Sequence, residues 1–227
     1  MKGVNTLAAF FNLTLDTLAP QGVTLSINDG ALYTAKKAVT IAIGCSDAST
    51  TGYSMKVYGS VTGAATADEA TWETFATSKT ITLTDGDGLK TIYVIVRDNV
   101  WNEAAPVSAT ITLNTAIPVV TITGPDTSII SEVVGKNTSK FNFTASEVFT
   151  EYKVGIVPAN TSTVDDVTVI GTTNGSRNTS GSDGSYPKET NIEVTINGTD
   201  FKTAAGGSDG TYIIKAFVKN QAGTWSA

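Results

Sequence analysis

Apolar and polar residues alternate in short runs along most of this chain, and the runs stop at clusters of Gly, Asn, Asp and Pro. Alternation with a period of two marks a strand with one face buried. Val23-Thr-Leu-Ser-Ile27 alternates and ends at Asn28-Asp-Gly30, a turn signal. Val39–Cys45, Ser54–Tyr58, Thr80–Leu83, Lys90–Val96 and Ala109–Leu113 follow as predicted strands. Asp85-Gly-Asp-Gly88 supplies a tight turn before Lys90–Val96. Helical periodicity is weak throughout; only Ala67–Thr74 has the pattern for a helical turn. Short strands rich in Thr, Val and Ile at this spacing predict an all-β sandwich.

The pattern also repeats. Leu13-Thr-Leu-Asp-Thr-Leu-Ala-Pro20, followed by Val23–Ile27, matches Ile111-Thr-Leu-Asn-Thr-Ala-Ile-Pro118, followed by Val119–Thr123. Further on, Asp87-Gly88, Thr91–Asp98 and Trp101-Asn102 match Asp209-Gly210, Tyr212–Asn220 and Trp225-Ser226. The second copy is longer by about two dozen residues. The surplus falls in Thr172–Lys188, a Gly/Ser/Asn/Thr-rich stretch predicted to be a long exposed loop. The repeat predicts two tandem immunoglobulin-like β-sandwich domains, residues 17–115 and 116–227, after a short N-terminal arm or strand in residues 1–16. Each joint carries a proline, Pro20 or Pro118, which locks φ where a ladder must stop.

The ends are out of phase with the repeat. Phe10–Leu15 falls where a domain's final strand belongs, whereas the second domain reaches Ala227 without a counterpart of Ala109–Leu113. The expectation is an exchange of strands between chains by addition to an open edge. Phe10, Phe11, Leu13 and Leu15 form the candidate assembly strand, with Phe11, Leu13 and Leu15 facing inward. Burying three such side chains is worth ~5–9 kcal/mol. Ordering six residues costs ~6–12 kcal/mol, so the segment orders only on a preformed sheet. Two other readings stay open: the strand pads its own first domain, or the chain is part of a longer product.

Composition narrows the chemistry. The chain has 15 Lys+Arg against 21 Asp+Glu, a net charge of −6, and no basic cluster, so nucleic acid is not an expected partner. It has no histidine and one cysteine, Cys45, which leaves no intrachain disulfide, Cys/His metal site, Ser-His-Asp triad or Cys-His dyad. Cys45 ends an apolar run and is predicted to be a small buried core residue. No stretch approaches the ~18–20 apolar residues of a membrane span, and no membrane insertion is expected. Met1–Asn12 is a poor secretion signal; release by lysis, as part of a virus particle, would need none.

Few residues stand out as sites. Asp85-Gly-Asp-Gly88 has two of the carboxylates of a calcium loop, but Lys90 follows instead of a distal Glu. Asp165-Asp166 is an isolated acidic pair. Glu69, Glu73, Glu147, Glu151, Glu189 and Glu193 are scattered and form no glycosidase motif. No catalytic residue, metal or cofactor is expected, and the chain reads as non-enzymatic. Trp101 and Trp225 follow the same strand of the repeat, which points to a shared packing role. Trp72 is the better candidate for an exposed aromatic and glycan contact.

Leu15-Asp-Thr-Leu-Ala-Pro-Gln-Gly-Val-Thr24 and Asp87-Gly-Leu-Lys-Thr-Ile-Tyr-Val-Ile-Val-Arg-Asp-Asn99 resemble the bacterial Ig-like repeats of bacteriophage structural proteins and bacterial surface adhesins. Val100-Trp101-Asn102 departs from them, standing where those repeats have Ala-Gly-Asn. Glu147–Lys153 and Val218–Ser226 resemble modules of phage tail or capsid accessory proteins. The resemblance implies a virion component: a capsid decoration protein, or a tail, neck or baseplate accessory. Its implied partners are other virion proteins or copies of itself, together with host cell-surface polysaccharide. The alternative it leaves is a carbohydrate-binding or adhesive module of a bacterial surface protein.

Overall fold

The structure, a computed structural model, describes residues 11–158, 163–173, 176–177 and 184–227. They form two compact units. The division between them falls within the last strand of the first sandwich, between Ile111 and Thr112. Both units are sandwiches of antiparallel sheets.

The first sandwich contains β1 (Thr24–Ile27), β2 (Tyr33–Thr34), β3 (Ala38–Gly44), β4 (Ser54–Gly59), β5 (Glu73–Thr74), β6 (Ser78–Thr82), β7 (Gly88–Arg97) and β8 (Val107–Leu113). One sheet has the order β1-β3-β6 and the other β2-β8-β7-β4-β5. β2 runs parallel to β8, whereas β1 with β3, β3 with β6, β4 with β5 and β4 with β7 pair antiparallel. The alternation read from sequence is the burial pattern: Val39, Ile41 and Ile43 from one sheet meet Met55, Val57, Ile92, Val94 and Val96 from the other. Ile111 and Leu113 on β8 close the same core. Cys45 departs from expectation. Strand β3 ends at Gly44, the chain turns as Ser46 N–H donates to the Gln21 carbonyl, and Cys45 is left half-buried. Its surroundings push the thiol pKa up, mainly by burial.

The second sandwich contains β9 (Val120–Thr123), β10 (Thr138–Ala145), β11 (Phe149–Val157), β12 (Thr168–Val169), β13 (Thr172–Thr173), β14 (Ser176–Arg177), β15 (Ile192–Asn197), helix α1 (Gly198–Ala204) and β16 (Ile213–Asn220). Its sheets have the orders β14-β13-β15-β10-β9 and β12-β11-β16. The core is more aromatic than the first. Phe143, Phe149 and Tyr152 pack together, and Tyr186 stacks on Phe149 at 4.8 Å. Two expectations change here. The start of the Thr172–Lys188 stretch is not a loop: Thr172 and Thr173 pair with Thr195 and Val194, and Thr173 is buried. Residues 174–175 and 178–183 of that stretch lie outside the described residues. Helix α1 spans only about two turns, too short for helical periodicity to mark it in the sequence. Asn197 caps it, accepting from Thr199 N–H at 3.0 Å.

Each sandwich ties its entry joint to the corner that follows its long central strand. In the first, Asp98 accepts from the N–H groups of Val100 and Asn102 at 2.8 and 2.9 Å and from Asn102 Nδ2 at 2.8 Å. Asn102 Nδ2 is also 3.3 Å from the Asp16 carbonyl. In the second, Asn220 does both tasks, accepting from Thr224 N–H at 2.9 Å and donating to the Ala116 carbonyl at 3.0 Å. Asp98 is buried. Burial alone pushes its carboxyl up, but the hydrogen bonds from Asn102, Val100 and Trp101 outweigh it and hold the pKa below the ordinary carboxylate value.

Asp98→Asn, which imitates the second copy, turns an acceptor toward Asn102 into a donor. It is expected to cost about 1–2 kcal/mol at neutral pH. The folded pKa lies below the unfolded value of about 3.9, so the charge contributes stability above that pH. The contribution is lost as pH falls through the folded pKa, and the gap between variant and parent closes there. Urea unfolding at pH 7 and below pH 4 checks both statements; a gap that persists in acid contradicts the assignment.

Candidate functional site

The pairing of β4 with β7 sets opposite one another Ser54 and Arg97, Lys56 and Ile95, and Tyr58 and Tyr93. Their neighbours Met55, Val57, Val94 and Val96 are buried, so this row lies on the outer face of the sheet. Tyr58 and Tyr93 stack across the strands at 5.2 Å. The short strand β5 pairs with Ser54 and Met55 and so brings Trp72, which precedes it, over Lys56 and Arg97. The Arg97 guanidinium is 3.9 Å from the centre of the Trp72 ring and 5.1 Å from that of Trp101. One cation thus serves two tryptophans. Arg97 Nε donates to Ser54 Oγ at 2.8 Å. Its remaining N–H groups have no hydrogen-bond partner among the described residues.

The structure reverses the reading of the tryptophans. Trp72 is half-buried, whereas Trp101 is 72% exposed and does not pack in a core. Nor is Trp101 the counterpart of Trp225. Trp101 N–H bonds to the Asp98 carbonyl as Gly223 N–H bonds to the Asn220 carbonyl. Arg97 bridges to Glu103 as Lys219 bridges to Trp225. In register, therefore, Trp101 matches Gly223 and Glu103 matches Trp225. Trp101 has φ 75° and Gly223 φ 85°, in the left-handed region that a bulky side chain avoids. The sequence carries a trace of this, since Trp101 stands where the resembling repeats have Gly. A large exposed aromatic held in a glycine conformation is a local cost with no gain in packing, and such outliers concentrate at functional sites.

The second sandwich keeps the framework and loses the face. Lys153 and Lys219 flank Trp225 at 5.9 and 5.7 Å, but Lys219 is paired with Glu151 at 3.0 Å. The positions of Tyr58 and Tyr93 are taken by Gly155 and Lys215. Strand β12 lies so close that a Cβ on Gly155 would meet the Thr168 carbonyl at 2.1 Å.

The scattered carboxylates have structural partners. Glu73 pairs with Lys79, Glu193 with Lys140 and Asp85 with Lys37, which holds the Asp85 pKa below the ordinary value. Glu147 accepts from Asn114 and Glu69 from Ala65 N–H, while Asp87 accepts from Thr115. Glu189, in a left-handed turn, joins none of them, and Asp165-Asp166 lies in a single 3-10 turn. Among the described residues no three of His, Cys, Asp and Glu gather as metal ligands, and no helix is long and apolar enough to cross a membrane. Of the candidate assembly strand, Phe10 lies outside the described residues. Phe11, Leu13 and Leu15 are 85%, 86% and 85% exposed, and residues 11–20 enter no ladder.

Trp101→Gly relieves about 1–2 kcal/mol of left-handed strain. It gives back about 0.4–1 kcal/mol in unfolded-chain entropy and a cation–π contact of about 0.5–1 kcal/mol. The unfolding free energy is therefore expected to stay within about 1 kcal/mol of the parent in a urea titration. A larger loss would give Trp101 a structural role.

No family model matches the chain, and no curated protein matches it. Solved structures do. The fibronectin(III)-like modules of CbhA from Clostridium thermocellum are similar at 13% identity and a TM-score of 0.43, over 90% of each chain. Chitinase ChiA74 from Bacillus thuringiensis is similar at 13% identity and a TM-score of 0.29, over 82% of this chain and 28% of that one.

Proposed function

We propose that this chain is a non-enzymatic adhesive and structural building block whose first sandwich holds polysaccharide on the face built by Trp101, Arg97 and Trp72. The observation that carries this reading is Trp101, exposed, in a glycine conformation, beside a guanidinium with unused donors. An indole face stacks on the apolar face of a sugar ring, and the free N–H groups of an arginine fork match a carboxylate or paired hydroxyls. Acidic cell-surface polysaccharide fits both. The ion-paired carboxylates support the non-enzymatic part, because a glycosidase needs two of them aimed at one bond.

The finer placement, on a bacteriophage particle as a tail, neck, baseplate or capsid accessory, is supported by the repeat motifs Leu15–Thr24 and Asp87–Asn99. Copurification with assembled particles tests that placement separately from binding.

Affinity electrophoresis through gels holding an acidic bacterial polysaccharide tests the site. The parent chain and Trp225→Ala are expected to be retarded. Trp101→Gly and Arg97→Ala are expected to lose about tenfold or more in affinity, the scale of 1.4 kcal/mol. Equal retardation of all four proteins, or of none, rejects the site.

A further inference from the structure

We infer that Tyr58 and Tyr93 form a second subsite on the face of the first sandwich, one that holds a neutral sugar of the same acidic polysaccharide whose charged unit sits at Arg97 and Trp101. The inference rests on the polysaccharide reading and adds to it a length and a direction. Strand β7 turns Tyr93, Ile95 and Arg97 to its outer face, between the buried Val94 and Val96, and β4 sets Tyr58, Lys56 and Ser54 opposite them. Arg97 and Tyr93 are four residues apart on one strand, which separates their backbones by about 13–14 Å. No single sugar ring covers that distance; a short oligosaccharide does.

The two ends differ in chemistry. At one, the Arg97 guanidinium lies by two indoles and keeps N–H groups to spare. Lys56, next along the row, donates to the Ala67 carbonyl at 2.8 Å and lies 5.2 Å from the centre of the Trp72 ring. The cations are thus gathered toward the tryptophans. At the other end, no Lys or Arg lies over either tyrosine ring among the described residues. The two rings stack at 5.2 Å with their planes 15° apart, and Tyr93 is 37% exposed. Neither hydroxyl has a hydrogen-bond partner among the described residues. A phenol can donate to and accept from a sugar hydroxyl, while its ring offers apolar surface to the sugar's C–H groups.

The backbone holds this pair in place. Gly59 has φ 106° and pairs with Ile92. A Cβ there would meet the Thr91 carbonyl at 2.4 Å and Tyr93 Cδ2 at 3.0 Å, so glycine lets the Tyr93 ring lie close against the end of β4. Ser60 fastens that end: its N–H donates to the Thr91 carbonyl at 2.8 Å and its Oγ accepts from Thr91 N–H at 3.1 Å. The second sandwich, with Gly155 and Lys215 at the equivalent positions, has no such pair. A linear polysaccharide with neutral units between its acidic ones matches both ends at once, its carboxylate on the arginine fork and a neutral ring on the tyrosines.

Isothermal titration calorimetry with oligosaccharides of alternating uronic acid and neutral sugar tests this, comparing the disaccharide with the octasaccharide. The parent chain is expected to bind the octasaccharide at least about tenfold more tightly, more than the extra binding frames of a longer chain supply. Tyr93→Thr, which suits an exposed strand position, is expected to weaken octasaccharide binding about tenfold and to leave the disaccharide unchanged. Tyr58→Thr carries the same expectation and the same test should Tyr93→Thr fail to fold. Trp101→Gly is expected to weaken both lengths. If it does, and the tyrosine variants match the parent at both lengths, the second subsite is overturned while the polysaccharide reading stands. If Trp101→Gly matches the parent at both lengths, that reading fails and the subsite with it. A parent chain that binds both lengths alike, or neither, also overturns the subsite. So does loss of the disaccharide in the tyrosine variants, which would make the two ends one site.

Discussion

The register of the central antiparallel pairs, β4 with β7 and β11 with β16, governs both sandwiches. Side chains alternate with a period of two, so the pairing that buries Met55, Val57, Val94 and Val96 also fixes what stands on the outer face. A slip of one residue would exchange the core for the row of Lys56, Tyr58, Tyr93 and Arg97. The apolar core is thus what positions the outer cations, and the cations in turn position the tryptophans. The Asp98 and Asn220 corners then hold the end of each central strand to its joint, Asp16 in one copy and Ala116 in the other.

Much of this was legible in the sequence, because alternation and turn residues are local signals. The six strands predicted in the first sandwich are there, shifted by a residue or two at their ends. What escaped depended on register or on distant partners. Matching Trp101 to Trp225 followed residue identity; the hydrogen bonds at the corner pair Trp101 with Gly223 instead. Trp72 reads from sequence as the exposed indole because no local signal marks its contact with Arg97. Cys45 continued an apolar run past the point where β3 loses its partner. Thr172–Thr173 looks like linker by composition and becomes strand only because β15 offers an edge.

The two copies have specialised the same frame in opposite ways. In the first, the sheet is complete at β8 and its outer face is open, with Tyr58 stacked on Tyr93. In the second, Gly155 and Lys215 stand in place of that stacked pair and Glu151 neutralises Lys219. The core of the second sandwich is the aromatic one, with Phe143, Phe149, Tyr152 and Tyr186 in contact, and such rings bury much apolar area per residue.

The face of the first sandwich depends on one cation, Arg97, fixed by its Nε hydrogen bond to Ser54 and flanked by the Trp72 and Trp101 rings. Under the proposed polysaccharide binding, a single face of this kind offers little area to a flexible sugar chain and would bind it weakly. Several such faces held together would gain apparent affinity by orders of magnitude without any new contact. The glycine conformation of Trp101 has a physical reason in that reading: it leaves the indole exposed beside the guanidinium, at a backbone cost that packing in a core does not offset.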